Sequence, residues 1–319
     1  MTIGIAAHGP KAGLAVFRAL QAAEAVGRGA IGGFACYAAI GADATLYCEQ
    51  TQRGGASTLF IAGETTGVTP PPAVATATMA ALISSGPERP EPLSQFLAAD
   101  PHAGLVTGHR LPNRPGHDGQ PLNLAVLERL RAGENSRMAV ESVLADYPQA
   151  DVGFIAVDRG GGLYRCNSPR VARRPDLGGA GRADPARGIA VEVLHNAITP
   201  FPVLAELVAQ IAFETMLEDS RPDGWITLVS GIPVLHGSEH AIHCDAGGEA
   251  VRVTTTDALM IQGRQVGAAV YLHSAVYREG ELLGHTCFEP IVTVVDGIIE
   301  TMSGQQRLQM SYRTPVREN

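Results

Sequence analysis

The order of local structure in residues 11–48 decides which folds this chain can adopt. A helix-forming stretch, KAGLAVFRALQAAEAV at 11–26, precedes glycines at 27, 29 and 32, and two strand-forming stretches follow at 34–40 and 45–48. The glycines have the G-x-G-x-x-G spacing of a dinucleotide-binding turn. That turn works only between a strand and a following helix, because the pyrophosphate rests on the free N–H groups at the helix start. Here the helix comes first, with Leu14, Phe17, Ala22 and Val26 among strong helix formers and Pro10 suited to its start. The segment therefore reads as helix, glycine loop and hairpin, with its turn at GAD, 41–43. A doubly wound nucleotide fold is set aside. An α+β chain of layered antiparallel sheets with flanking helices is expected instead.

Further helices are predicted at 72–84, 122–132, 136–146 and 203–217, the second ended by Gly133 and the third ending before Pro148. Residues 169–188, PRVARRPDLGGAGRADPARG, have little to bury, so 171–188 is predicted as a linker or long loop between domains at 1–170 and 189–319. The second part, with a strand at 189–194 and mostly strands over 226–295, is expected to be α+β with a large antiparallel sheet. GFACYAAIGADATLYCE (33–49) and GFIAVDRGGGLYRCN (153–167) share a Gly-Phe, strand, turn, Leu-Tyr-x-Cys pattern. Two such hairpins suit two stacked sheets.

Composition narrows the chemistry. A net charge of -8 disfavours a nucleic-acid surface, and no run approaches 18 uninterrupted apolar residues, so no membrane span is expected. Lys11 is the one lysine among 24 Lys and Arg, which argues against Schiff-base, P-loop and Ser-Lys chemistry. The five cysteines form no C-x-x-C pair and read as thiols of a cytoplasmic protein.

Thr2 opens a short apolar strand, TIGI, directly after Met1. With Met1 trimmed, its hydroxyl and α-amine would form a nucleophile with its own base. TIGI, the hairpin ending TQRGG (51–55), and GLVTGHRLPN (104–113) with the paired helices and hairpin after it together resemble the N-terminal nucleophile (Ntn) hydrolases of asparaginase type. The resemblance implies layered sheets between helices and hydrolysis of an amide. If Met1 is retained, Cys36 and Thr107 are the alternative nucleophiles. The chain departs from the family pattern where a helix follows the first strand.

Around the nucleophile, His109 is a candidate catalytic residue, and Arg110 and Asn113 on the same loop suit substrate orientation. Arg53 is expected to grip a substrate carboxylate as a planar fork, with the N–H groups at Gly54 and Gly55 facing a carbonyl oxygen. His195 and Asn196 end a strand, where Asn196 or Thr199 suits helix capping. LHGSEHAIHCD supplies His236, Glu239, His240 and His243, and GHTCFEP adds His285 and Glu289. These are metal-ligand types, but the local pattern is strand-like, and His240 and His243 would then point to opposite faces.

The resulting expectation is a hydrolase of a C–N bond in a small polar molecule, needing no cofactor and forming a homo-oligomer. Two alternatives stand beside it: a zinc hydrolase using His236, Glu239 and His240, and a non-enzymatic binding or assembly protein pairing through sheet edges.

Overall fold

The structure, a computed structural model, describes residues 2–60, 69–87, 92–217 and 222–314. It is α+β and divides into two compact units, Met1–Ser220 and Arg221–Asn319.

In the first unit the elements are β1 (Thr2–His8), α1 (Ala12–Val26), β2 (Ala35–Ile40), β3 (Leu46–Thr51), α2 (Ala56–Leu59), α3 (Pro72–Ala75), β4 (Met79–Ser85), β5 (Ala98–Asp100), β6 (Gly104–Arg110), α4 (Leu122–Arg131), α5 (Ser136–Asp146), β7 (Val152–Asp158), β8 (Leu163–Asn167), β9 (Leu177–Asp184), β10 (Ile189–Asn196) and α6 (Val203–Leu217). They build two antiparallel sheets, of order β3-β2-β4-β1-β10-β9 and β5-β6-β7-β8. Alternation along each strand assigns its faces. Ile3, Ile5 and Ala7 of β1 pack with α1 and α6, while Ala6 meets Leu105, Ile155 and Val157 of the second sheet. Val106 and Phe154 on that sheet's other face pack against α4 and α5. The layers therefore run helix, sheet, sheet, helix. The two look-alike hairpins are β2–β3 and β7–β8, each at the edge of its own sheet.

Two expectations change. Residues 72–84 are not one helix: only Pro72–Ala75 is helical, and Met79–Ser85 is β4, buried along its whole length between β2 and β1. Alanine-rich residues favour helix in isolation, but a central strand covered on both faces selects small apolar residues and overrides that preference. Residues 171–188 are not a linker. They contain β9, paired with β10 from Leu177↔Asn196 to Asp184↔Ile189, and the division of the chain falls after Ser220. This edge strand resembles a loop in sequence because half of it faces solvent. Its glycines also leave room for neighbours, since a Cβ at Gly178 would lie 2.0 Å from Nε2 of His195.

The glycines that open the hairpin serve the backbone. Gly33 is pressed against the 86–87 turn, where a Cβ would lie 2.0 Å from Gly86 C. The loop follows the C-terminus of α1, whose end is closed by the Gly27 N–H on Ala23 O at 2.8 Å, so no helix N-terminus is offered to a phosphate.

The second unit has its own core around Ile226, Ile242, Val253 and Val292. Its seven-stranded sheet runs Gly224–Val229, Arg307–Arg313, Glu281–Thr286, Ala275–Arg278, Ala241–Cys244, Ala250–Thr255, Val234–His236. The ladder is antiparallel apart from two parallel pairings, Ala241–Cys244 with Ala275–Arg278 and Val234–His236 with Ala250–Thr255. A three-stranded sheet accompanies it. The predicted helix at 203–217 is α6 and belongs to the first unit. Among the described residues no helix is long and apolar enough to cross a membrane.

Candidate functional site

Strand register gathers the polar residues of the first unit. Thr2 pairs with Asn196 of β10 on one side and Ser85 of β4 on the other, so these three side chains share the face of the first sheet that meets the second. His109 of β6 comes from the second sheet. Glycines let the sheets close here: a Cβ on Gly4 would lie 2.3 Å from the carbonyl oxygen of Gly108.

Thr2 is 1 % exposed. Its Oγ1 donates to Asn196 Oδ1 at 3.2 Å and accepts the backbone N–H of Arg110 at 2.5 Å. A hydroxyl oxygen has two lone pairs, so one remains after both bonds are made. His109 is fully buried, and its Nε2 lies 2.6 Å from Asn167 Oδ1. The two residues stand on alternate strands, with Gly153 of β7 between them. A Cβ there would fall 2.1 Å from Asn167 Oδ1 and 2.5 Å from His109 Nε2, so the bond depends on that glycine.

Burial pushes the His109 imidazole down to about 4, against the opposing pull of the Asn167 and Asn196 amides, so the ring is neutral at pH 7. With Asn167 Oδ1 assigned as acceptor, the ring proton sits on Nε2 and Nδ1 keeps a lone pair. That Nδ1 and the Nδ2 of Asn196 are both buried without a hydrogen-bond partner. His195, on the opposite face of β10, is also neutral, held down to about 4 by burial.

Arg110 is in the left-handed region at φ 71°, unusual for a residue with a Cβ. Its guanidinium is bound by both carboxylate oxygens of Asp151, at 2.8 and 2.5 Å. That grip, with the N–H bond to Thr2, holds the strained backbone. Ala197, after Asn196, is left-handed too at φ 56°, with its N–H on Asp176 O at 2.8 Å. One partner of the Thr2 hydroxyl is thus itself a strained residue and the other is followed by one, a placement found at functional sites.

The other predicted residues lie elsewhere or act differently. Arg110 contributes its backbone N–H, because its guanidinium is committed to Asp151. Thr107 is buried and donates to Leu82 O at 2.8 Å, tying the sheets together. Cys36 is buried, donates to Leu93 O at 2.8 Å, and has a thiol pushed up to about 12 by burial, so no thiolate nucleophile is available. Asn113 is half-buried on the loop after β6, outside the Thr2 row. Arg53 is exposed, and its carbonyl accepts the hydroxyls of Thr51 and Thr58. Two of the N–H groups that follow are already used: Gly55 donates to Gly33 O at 2.8 Å, and Ala56 to both oxygens of Glu24 at 3.1 and 3.0 Å. No N–H of Gly55 or Ala56 is left to face a substrate carbonyl there.

The predicted metal cluster does not assemble. The His240 ring lies tilted against Tyr271, centroids 4.1 Å apart, with Nε2 2.9 Å from Thr256 Oγ1 and Nδ1 3.2 Å from Thr255 Oγ1. Glu239 accepts the Tyr277 hydroxyl at 3.1 Å, and His236 is exposed at a strand end. Among the described residues no group of three or more His, Cys, Asp or Glu is placed to hold a metal ion. A cavity of about 300 Å³, lined by Arg114, His117, Asp146 and Tyr147 among others, lies on the loop after β6 and the end of α5, and no residue of the Thr2 row lines it.

Asn167 and Asn196 complete the site. Sequence reasoning misses the former and reads the latter as a helix cap. Their common signal is a carboxamide as the last residue of a strand, in LYRCN and VEVLHN.

Residues 2–225 match the family described as Domain of unknown function (DUF6963), and the chain belongs to that family. Residues 231–307 match another, Domain of unknown function (DUF7259). No curated protein matches the chain.

Proposed function

For this family member we propose hydrolysis of an amide or related C–N bond in a small polar molecule, with the Thr2 hydroxyl as nucleophile. The observation that carries the reading is the setting of Thr2 Oγ1, oriented by Asn196 and the Arg110 N–H in a dry seam beside a neutral histidine. The order helix, sheet, sheet, helix supports it, being the layering that the Ntn resemblance implies.

In this reading Oγ1 attacks the carbonyl carbon and passes its proton to the α-amine of Thr2, which must be free of Met1. The Nδ2 of Asn196 donates to the carbonyl oxygen as it becomes negative. The C–N bond breaks with the proton delivered to the leaving nitrogen, and water hydrolyses the threonyl ester. If Met1 stays in place, the unpartnered Nδ1 of His109 is the base that replaces the amine.

Intact-mass measurement of the purified chain tests the requirement, and a panel of small amides with Thr2→Ala and Thr2→Ser tests the role. The expected result is a chain beginning at Thr2, turnover lost in Thr2→Ala and partly kept in Thr2→Ser. A Thr2→Ala protein with most of its activity overturns the proposal.

A further inference from the structure

Among the described residues of the seam, one acceptor and one donor have no hydrogen-bond partner. His109 Nδ1 is the acceptor, its tautomer fixed by Nε2–H on Asn167 Oδ1 at 2.6 Å. Asn196 Nδ2 is the donor, because its Oδ1 already receives the Thr2 hydroxyl. Both atoms are closed to solvent in this conformation. A buried polar atom without a partner carries an unrecovered desolvation cost, which a ligand of matching pattern recovers on binding. Arg110, whose N–H meets Thr2, is neutralised by Asp151, and Asp176, whose carbonyl accepts the Ala197 N–H, is neutralised by Arg174 at 2.8 and 2.6 Å, leaving no uncompensated charge among these pairs to draw an ionic group inward.

Resting on the proposed hydrolysis, we infer that the site selects uncharged amides that carry an N–H: the substrate N–H donates to His109 Nδ1 and its carbonyl oxygen accepts from Asn196 Nδ2. Lactams, cyclic imides and ureides fit, whereas esters and N-alkylated amides leave the His109 lone pair unpaired. Sites built to bond an N–H discriminate strongly against analogues lacking it, because the loss exposes the mismatch in a dry place. Asn167 is a positioning residue here, acting through the tautomer of His109, and Gly153 is the space that lets it do so.

The test uses two probes of nearly the same shape, 2-piperidinone and its N-methyl derivative, added to full-length protein and to Thr2→Ala. The readout is the ¹⁵N resonance of His109 Nδ1, identified by its loss in His109→Gln. The expected result is a saturable shift with 2-piperidinone in both proteins, and a shift at least about tenfold weaker with the N-methyl compound. Asn167→Leu should release the tautomer, moving the proton partly to Nδ1 and abolishing the response. Equal shifts with both probes, or no shift with either, overturn the inference. Because Thr2→Ala binds without turning over, loss of the hydrolytic reading would leave this result standing, and the converse.

Discussion

His109 and His240 occupy neighbourhoods of opposite kind. His109 is sealed between two sheets with one nitrogen bonded and the other unpartnered, whereas the ring of His240 lies against Tyr271 with both nitrogens held by the 255–256 threonines. Along the chain His240 has the richer setting, because LHGSEHAIHCD concentrates ligand-type residues. In the structure it is His109, the catalytic candidate, that keeps an unpartnered nitrogen, while His240 has both of its nitrogens hydrogen-bonded. Chemistry needs polar atoms that are dry and incompletely paired, and density of histidines along the chain measures neither.

Mutations sharpen this contrast. Removing the nucleophile has the largest expected effect: Thr2→Ala should lower amide turnover by several orders of magnitude, while His240→Ala leaves it within about twofold. Steady-state assays on the same amide check both, and a large loss in His240→Ala would break the comparison.

Gly153→Ala comes next. Its methyl would sit 2.1 Å from Asn167 Oδ1, so the His109–Asn167 bond must open or the strands must part. Destabilisation of about 1–3 kcal/mol is expected, with the tautomer of His109 lost in the ¹⁵N spectrum. Urea unfolding gives the first number. An unchanged stability and spectrum would show that the seam is looser than its distances imply.

Acid should find the buried histidine. His109 has its imidazole lowered in the folded state from 6.5 to about 4, so its contribution is present above pH 6.5 and lost as pH falls through 4. The unfolded chain binds the proton first, and the loss at full protonation is about 3 kcal/mol. Glu24, pushed up from 4.5 to about 7 by burial, works in the other direction: its contribution is full below pH 4.5 and lost as pH rises through 7. The cleaner measurement is therefore the difference in stability between wild type and His109→Gln from pH 7 to 4. It should narrow as pH falls, and a constant difference would contradict the neutral histidine.

The smallest effect is in the second unit. His240→Ala removes the Thr256 bond at 2.9 Å and the Tyr271 contact, worth about 1 kcal/mol together at a half-buried site, with turnover unaffected. A calorimetric scan should show only a minor shift.

Much of the first unit is legible in the sequence. The helices α4, α5 and α6 and the strand–helix–hairpin opening follow from periodicity and from Pro and Gly at the ends, since local chemistry decides them. β4 and β9 are not, because their identity depends on neighbours: one is an alanine-rich strand covered on both faces, the other a glycine-rich edge. The site divides the same way. Thr2 and His109 stand out by residue type and position. The partnership of Thr2 with Asn196 spans 194 residues and exists only through sheet register. The left-handed turn at Arg110, which aims an N–H at Thr2, has no residue signature, because arginine does not favour that conformation.

The most direct test of the central claim is covalent trapping. Full-length protein is incubated with a β-lactone, an electrophile that acylates an activated hydroxyl, and the adduct is mapped by tandem mass spectrometry. The account predicts a single acyl group on Oγ of Thr2 in a chain that begins at Thr2, with none in Thr2→Ala. Labelling that persists in Thr2→Ala, or a chain that retains Met1 and takes no label at Thr2, would contradict it.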